Sequence, residues 1–430
     1  MSKKQKKDLM LEAELEDEIL DIPEDEIWTY RIEGLHAPRI VDKSVKPGLK
    51  AGIVIGLIIA ISLSIFFSVR ALMNEEYDYE KTAAGYELVK YSNPGKVTEV
   101  NVDYVDGDTN CPVTEIRAYA FNGDEKLVTV TIGKDVEKID GKSFFSCWNL
   151  ESVFVNDDNP YYCDIDGVLY TKDLTRVIYY PSAHNVYLMR QAGYKIDFPE
   201  DGSITGDDFT SAVLLLQKCR DKGDDPASLT GDDAKLLKKF NTLTGVTSDY
   251  DTFLTDYEEK AGAYVLPSAV TVIGELAFAY SDITRVYIPE GVKRIETLGF
   301  FKAEKLKEMY SYTVSEEITS TVFADSADKL TVYPSLPDGL EFIGSDAFTY
   351  DRGITYMYIP ASVKEIGHHA FFNMAFKSGD NIEGLSVMNV QADESGFKAG
   401  TKIGESWLPK IDSGLFEKNI PTEYSSAREK

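Results

Sequence analysis

The side chains that could do chemistry are few in this 430-residue chain, and they do not assemble into a reactive set. The four histidines are His36, His184, His368 and His369. His36 lies before an apolar stretch that separates it from the others. His368 and His369 are adjacent, so on a strand or turn they point opposite ways and cannot share one ligand face. No HExxH, GxSxG or phosphate-binding glycine loop is present. The four cysteines, Cys111, Cys147, Cys163 and Cys219, lack the CxxC spacing of a zinc site, and three disulfide pairings or four free thiols stay open. Asp201, Asp207, Asp208, Asp224, Asp225, Asp232 and Asp233 lack the glycine pattern and distal glutamate of a calcium loop, so helix caps and solvated acids account for them. No metal, cofactor or reaction is expected. The chemistry left is that of binding. In the phrase L-x-x-V-x-I the Val and Ile point inward and the residue between them outward, because strand side chains alternate. That outward residue is Thr131, Phe154, Tyr287, Tyr310 and Tyr358 in successive units, with Tyr179 in a hairpin unit; the preceding outward position adds Arg285, Glu308 and Tyr356. Stacked in parallel, Phe154, Tyr179, Arg285, Tyr287, Tyr310, Tyr356 and Tyr358 form a candidate ligand-binding stripe. Such a row suits sugar rings or protein anchors; equally, aromatic neighbours across strands stabilise a sheet with no ligand at all.

The stripe depends on a repeat. Between Val113 and Val155 the same phrase occurs twice: Ile116 recurs as Ile139, Phe121 as Phe144, Leu127 as Leu150, Val130 as Val153 and Ile132 as Val155, each after 23 residues. A shared period of that size marks a solenoid, in which each unit is too small to bury its own apolar face and stacks on its neighbours. The aromatic anchor returns at Phe278, Phe300, Phe323, Phe348 and Phe371. A second signal travels with it, an apolar pair, Pro, then Val-x-x-Ile. It stands at Val265-Leu266-Pro267, at Ile288-Pro289 and at Ile359-Pro360, followed by Val270 and Ile273, Val292 and Ile295, and Val363 and Ile366. Pro cannot donate to a ladder, so it belongs at a strand's end.

This pattern, A-F-x(5)-L-x-x-V-x-I followed by V-x-x-I, resembles the BspA-like class of leucine-rich repeats of bacterial surface proteins, over roughly residues 95–180 and 264–410. Asp166-Gly167-Val168-Leu169-Tyr170 with Ile178-Tyr179-Tyr180-Pro181 is similar to that class's hairpin unit, and Tyr104 and Gly107 with Val113-Thr114-x-Ile116 to its entry repeat. The resemblance implies a right-handed solenoid with a β-sheet face. It implies extracellular binding or adhesion, and it offers no catalytic residues.

The rest of the chain attaches to that array. Residues 1–50 read as an acidic cytoplasmic tail and 51–69 as a transmembrane helix. Residues 70–95 read as a stalk, 96–183 as the first repeat block and 184–263 as a helical insertion. The second block with a C-terminal cap spans 264–412, and 413–430 is a tail. Ala51 to Val69 has no charge and is long enough to span a hydrocarbon core. Lys43, Lys46 and Lys50 precede it and Glu75, Glu76, Asp78 and Glu80 follow it, which places the N-terminus in the cytoplasm and the repeats outside. Gly52, Gly56, Ala60, Ser64 and Ser68 share one face of that helix, a pattern that lets two membrane helices pair as a homodimer. In the insertion, Thr205 and Thr230 each precede Gly-Asp-Asp and an apolar helical pattern, which reads as a capped helical hairpin. With 45 Lys and Arg against 72 Asp and Glu, the net charge of −27 argues against nucleic acid.

Three functions are consistent with this. The foremost is a non-enzymatic, single-pass membrane protein that binds an extracellular protein or glycan along its sheet face. The second couples the outer repeats to a cytoplasmic partner for signalling or envelope assembly. The third, a wall-active hydrolase, needs two carboxylates facing across a cleft, and nothing in the sequence predicts a cleft.

Overall fold

Every repeat phrase supplies two extended segments, and each kind joins its own sheet. The structure is a computed structural model that describes residues 76–92, 97–199, 203–314 and 330–378, with short segments at 381–384, 387–391, 402–403, 410–412, 417–419 and 422–425. The described residues all lie in one compact unit, Leu72–Lys430. Residues 51–69, with Gly52, Gly56, Ala60, Ser64 and Ser68, lie outside them, as does the acidic tail. Among the described residues no helix is long and apolar enough to cross a membrane.

The array opens with an antiparallel hairpin, β1 (Glu76–Lys81) and β2 (Tyr86–Ser92). The structure corrects the stalk expected over 70–95, because this hairpin is part of the solenoid. Leu88 and Tyr91 are buried in the first core, and Tyr91 packs on Phe121. The alternation that places Leu88 inward is interrupted in sequence by charged residues on the outer face. Next come β3 (Glu99–Val102), β4 (Val113–Ile116), β5 (Thr129–Ile132), β6 (Lys138–Ile139) and β7 (Ser152–Val155). The V-x-I segments pair in parallel as β3–β5–β7, and the ends of the V-x-x-I segments pair as β2–β4–β6. A hairpin of β8 (Tyr162–Ile165) and β9 (Val168–Thr171) follows, then β10 (Arg176–Tyr179) beside β9.

Four helices come next: α1 (His184–Gln191), α2 (Gly206–Lys222), α3 (Gly231–Thr244) and α4 (Tyr250–Lys260). They bury their own core of Phe209, Val213, Leu216, Phe240, Phe253 and Tyr257. The pattern read as a hairpin is therefore α2 and α3 flanked by two further helices. Thr205 closes a capping box with Asp208, whereas Thr230 makes no side-chain cap bond. Gly223 and Gly245 end α2 and α3 in the left-handed conformation that only glycine adopts without strain.

The chain returns as β11 (Tyr264–Val265), β12 (Val272–Ile273), β13 (Arg285–Pro289), β14 (Arg294–Ile295) and β15 (Glu308–Val314). After β16 (Leu330–Tyr333) come β17 (Phe342–Ile343), β18 (Tyr356–Ile359) and β19 (Glu365–Ile366). The solenoid passes the helices without a break. β10 pairs directly with β12, and the Tyr180 N–H donates to the Ala277 carbonyl at 2.7 Å. The short strands then stack β12–β14–β17–β19, and Lys402–Ile403 continues the row. β15 does not turn back after its core segment. It runs on into an antiparallel hairpin with β16, and β14 pairs with β17, 48 residues later. Phe323, expected as an anchor, falls between β15 and β16 and lies outside the described residues. Phe300 stacks directly on Phe348, so no coil stands between them.

The core is a file of parallel rings. Phe121 lies on Phe144 with centroids 5.5 Å apart, Phe278 on Phe300 at 4.8 Å, and Phe348 on Phe371 at 5.3 Å, all within 8° of parallel. Tyr179 and Tyr180 carry the file across the junction, Tyr179 against Phe144 and Tyr180 against Phe278. Each anchor sits in a tight turn. The residue two after it has positive φ: Gly123, Ser146, Tyr280, Lys302, Tyr350 and Asn373. Coils also touch backbone to backbone at Gly344, where an added Cβ would stand 2.3 Å from the Thr297 nitrogen.

Two stability effects follow. Phe300→Ala empties a fully buried position between two rings and should cost about 3–5 kcal/mol in denaturant unfolding. Ser146→Gly should stabilise by about 0.5–1 kcal/mol, since left-handed backbone costs an L-residue roughly 1–2 kcal/mol and glycine's extra unfolded freedom returns part of it.

Candidate functional site

The stripe expected on the sheet face is largely covered. Tyr287 is buried, stacked on the half-buried Tyr310 at 5.2 Å and packed with Ala263, Val265 and Tyr312 in a small second core. Tyr358 and Tyr179 are buried as well, the latter as a member of the ring file. Phe154 packs on Tyr187 of α1 with ring centroids 6.0 Å apart. Arg285 and Glu308 pair with each other beside α2 and α4, in a polar groove that also holds Arg220 and Glu258. Tyr356 is the one residue of the seven that is exposed. The correction has a physical cause. Alternation decides which way a side chain leaves the strand, but the outward face of this sheet is itself packed by the inserted helices and by neighbouring aromatics.

A second aromatic row runs along the edge formed by the turns, half-buried at Phe145, Tyr280, Phe301 and Tyr350 and exposed at Tyr119 and Trp148. Phe144, Phe278, Phe300 and Phe348 are each followed one or two residues later by a second aromatic beside the turn, and Phe121 is preceded by one, Tyr119. Tyr119, Phe145, Tyr280, Phe301 and Tyr350 succeed one another edge to face, with ring centroids 5.4–6.1 Å apart. Trp148 joins at Tyr280, 4.8 Å away and at 76°. Tyr119 is 49% exposed and Trp148 38%. The Lys302 ammonium lies 5.4–5.7 Å from the rings of Tyr280, Phe301 and Tyr350, a cation–π arrangement that holds the row in place. The signal was in the sequence as Phe144-Phe145, Phe300-Phe301, Phe278-x-Tyr280 and Phe348-x-Tyr350. It is hidden because the second ring reads as more core.

Where this edge meets the N-terminus of α2 there is a cleft of about 460 Å³. Trp148 and Tyr280 line one side, and Thr205 and Asp207 the other. Lys305 ties the two sides together, 3.1 Å from Asp207 and donating to the Ser211 hydroxyl at 2.6 Å. Ser281 and Asp282 lie at the base. Asp282 is 7% exposed, and burial, helped by the Asp207 charge and opposed by Lys305, pushes its carboxyl up to about 7. Ser281 is 2% exposed, and its hydroxyl has no hydrogen-bond partner among the described residues. A cleft is a feature the sequence did not predict. It arises because Ser182 and Asp282 are neighbours across the break that the insertion leaves in the chain, with the Asp282 N–H donating to the Ser182 carbonyl at 2.8 Å.

The inserted helices are fixed to the solenoid by a second buried polar contact. The His184 Nδ1–H donates to the Glu151 carbonyl at 3.0 Å, and Arg190 donates to the Glu151 carboxylate at 2.9 Å. Burial pushes Glu151 up to about 7 against the pull of Arg190, and lowers His184 to about 4, so this histidine is neutral and structural. His369 lies 4.0 Å from Asp346 on the far turns. The four cysteines are free thiols, and Cys147 is buried with its sulfur 3.1 Å from the Phe121 carbonyl. Among the described residues no group of three or more His, Cys, Asp or Glu is placed to hold a metal ion.

The family described as the BspA type leucine rich repeat region matches residues 105–166 and 257–377, in six copies. Among solved structures, the chain is similar to the pneumococcal vaccine antigen PcpA, with 16% identity over 74% of this chain and 56% of that one, at a TM-score of 0.39. A leucine-rich repeat protein from Bacteroides ovatus shows 14% identity over 77% of this chain and 66% of that one, at 0.33. A leucine rich cell surface protein from Faecalibacterium prausnitzii shows 15% identity over 82% of this chain and 94% of that one, at 0.26. The chain thus spans little more than half the length of the pneumococcal antigen. No curated protein sequence matches it.

The raised carboxyl of Asp282 makes stability pH-dependent. Its affinity for a proton is higher folded than unfolded, so its contribution is full below about pH 4 and is lost as pH rises through about 7. Asp282→Asn should therefore gain stability over the native chain between pH 5 and pH 8, on the order of a few kcal/mol, in denaturant titrations at both values.

Proposed function

We propose that this BspA-type leucine-rich-repeat protein is a non-enzymatic binding protein of the cell surface, which holds an extracellular macromolecule against the turn edge of its solenoid. The single span at 51–69 anchors it, with the N-terminus in the cytoplasm and the repeats outside; the charge distribution around that stretch supports the orientation. The observation that carries the reading is the aromatic row of the turn edge, with Tyr119 and Trp148 exposed and Trp148 beside the cleft. Rigid aromatic side chains offer large contact area at low entropy cost, and they dominate the energy of binding surfaces. On the sheet face Tyr179, Tyr287 and Tyr358 are buried and only Tyr356 of the stripe is exposed. The acidic charge of the chain favours neutral or basic ligands over polyanions.

Capture assays with the purified full-length protein test this. Native protein, a Tyr119→Ala/Trp148→Ala variant and a Tyr356→Ser variant would be offered envelope extract, wall glycans and matrix proteins. The edge variant should lose capture by roughly tenfold or more while the sheet-face variant keeps it. The reverse pattern would return the binding face to the sheet.

A further inference from the structure

We propose that the cleft between the turn edge and α2 is a subsite for a neutral, polyhydroxylated glycan, with Trp148 as the stacking platform and Ser281 and Asp282 as the groups that read its hydroxyls. This rests on the reading of the turn edge as the binding surface and names the class of ligand it takes. Scale comes first. A cleft of about 460 Å³ is of the size that encloses a small ligand or a few sugar rings, whereas a protein partner needs a face of about 800 Å². Shape agrees with scale. Trp148 and Tyr280 meet at 76°, so the two rings form a corner rather than a flat patch. A pyranose presents an apolar C–H face to one ring and its hydroxyls to whatever lies around the rim.

The base of the cleft supplies what those hydroxyls need. A buried hydroxyl without a partner is uncommon in folded proteins, and the Ser281 hydroxyl is one. Asp282 beside it sits where Asp207 and burial hold its carboxyl near half-protonation at neutral pH, so it can donate as well as accept. That is the requirement of a sugar hydroxyl, which also does both. A metal ion is a poorer match, because the other carboxylates of the lining, Glu125, Asp207 and Glu304, do not converge with Asp282 into a ligand set among the described residues. An anion fares no better. Lys305 is occupied by Asp207 and Ser211, and Lys302 lies among the rings of the aromatic row. The third lysine of the lining, Lys126, stands with the carboxylates of Glu125, Asp207 and Glu304 on the same cleft, so the lining carries no excess of positive charge for an anion.

The test is calorimetric titration of the purified full-length protein with maltohexaose, cellohexaose, xylohexaose, mannohexaose and chitohexaose. At least one should bind with a sub-millimolar Kd. Trp148→Ala should weaken it roughly tenfold or more and Trp148→Phe should restore most of it, while thermal melts show both variants folded. Ser281→Ala, which removes one atom, should weaken binding with the stacking platform intact. Binding by none of the five sugars, or binding unchanged in Trp148→Ala, would overturn the proposal. The capture assay separates this from the broader reading. If a macromolecule is captured through Trp148 and still binds after periodate has cleaved its vicinal diols, the turn edge stands as the binding surface and the glycan assignment falls. If neither capture nor titration depends on Trp148, both fall.

Discussion

The stacking of one aromatic ring per coil is the contact on which the rest of this molecule depends. A coil of about 23 residues has two short strands and a turn, too little to bury a core by itself. The ring must lie flat on the ring below, and the observed separations of 4.8–5.5 Å are equal to or slightly above the spacing of hydrogen-bonded strands, about 4.7–4.9 Å. The strands and the rings therefore advance together. This is why the file tolerates tyrosine at Tyr179 and Tyr180, where two coils meet, and why it ignores everything inserted between coils. The chain leaves after Ser182 and returns near Tyr264, and the backbone bonds between Tyr180 and Ala277 close as though the helices were absent.

The same constraint creates the exposed edge. To place a ring at the core, the turn must reverse within a few residues, and it does so by taking a left-handed conformation two residues after the anchor. Residues beside that reversal are thrown outward. Where they are aromatic they fall into a second file, edge to face, outside the first. Non-glycine residues such as Tyr280, Lys302 and Tyr350 hold the strained backbone because their side chains are themselves in the outer file, so the cost of the turn and the construction of the surface are one feature.

The helical insertion converts this edge from a row into a site. Its docking uses directional polar contacts, buried ones from Arg190 and His184 to Glu151 and a more exposed pair from Lys305 to Asp207 and Ser211. Such contacts fix orientation more than they add stability. They set the N-terminus of α2 beside Trp148 and Tyr280 and bury Asp282, whose own sequence neighbours say nothing of a cleft. The insertion also covers Phe154 through Tyr187, which removes part of the sheet face from use.

The sequence by itself determined the coil. A period of 23, a Phe at a fixed offset and Val-x-x-Ile after Pro specify two strands and a buried ring, because burial on a short repeating unit leaves one arrangement for each residue type. It also marked where helices begin, since Thr205 with Asp208 is a local contact. It misjudged the stretch before Leu88 and did not foresee that β14 pairs with β17, for one reason: a periodic match says that a coil is possible, while strand pairing decides which segments enter the stack. Only the tertiary structure decided exposure. Tyr287 and Tyr280 are both tyrosines beside an inward apolar residue, yet the first is sealed in a second core and the second stands at the mouth of a cleft. Direction out of the backbone is a local property written in alternation, whereas what lies beyond the side chain is set by other coils and by the inserted helices, and no local pattern encodes it.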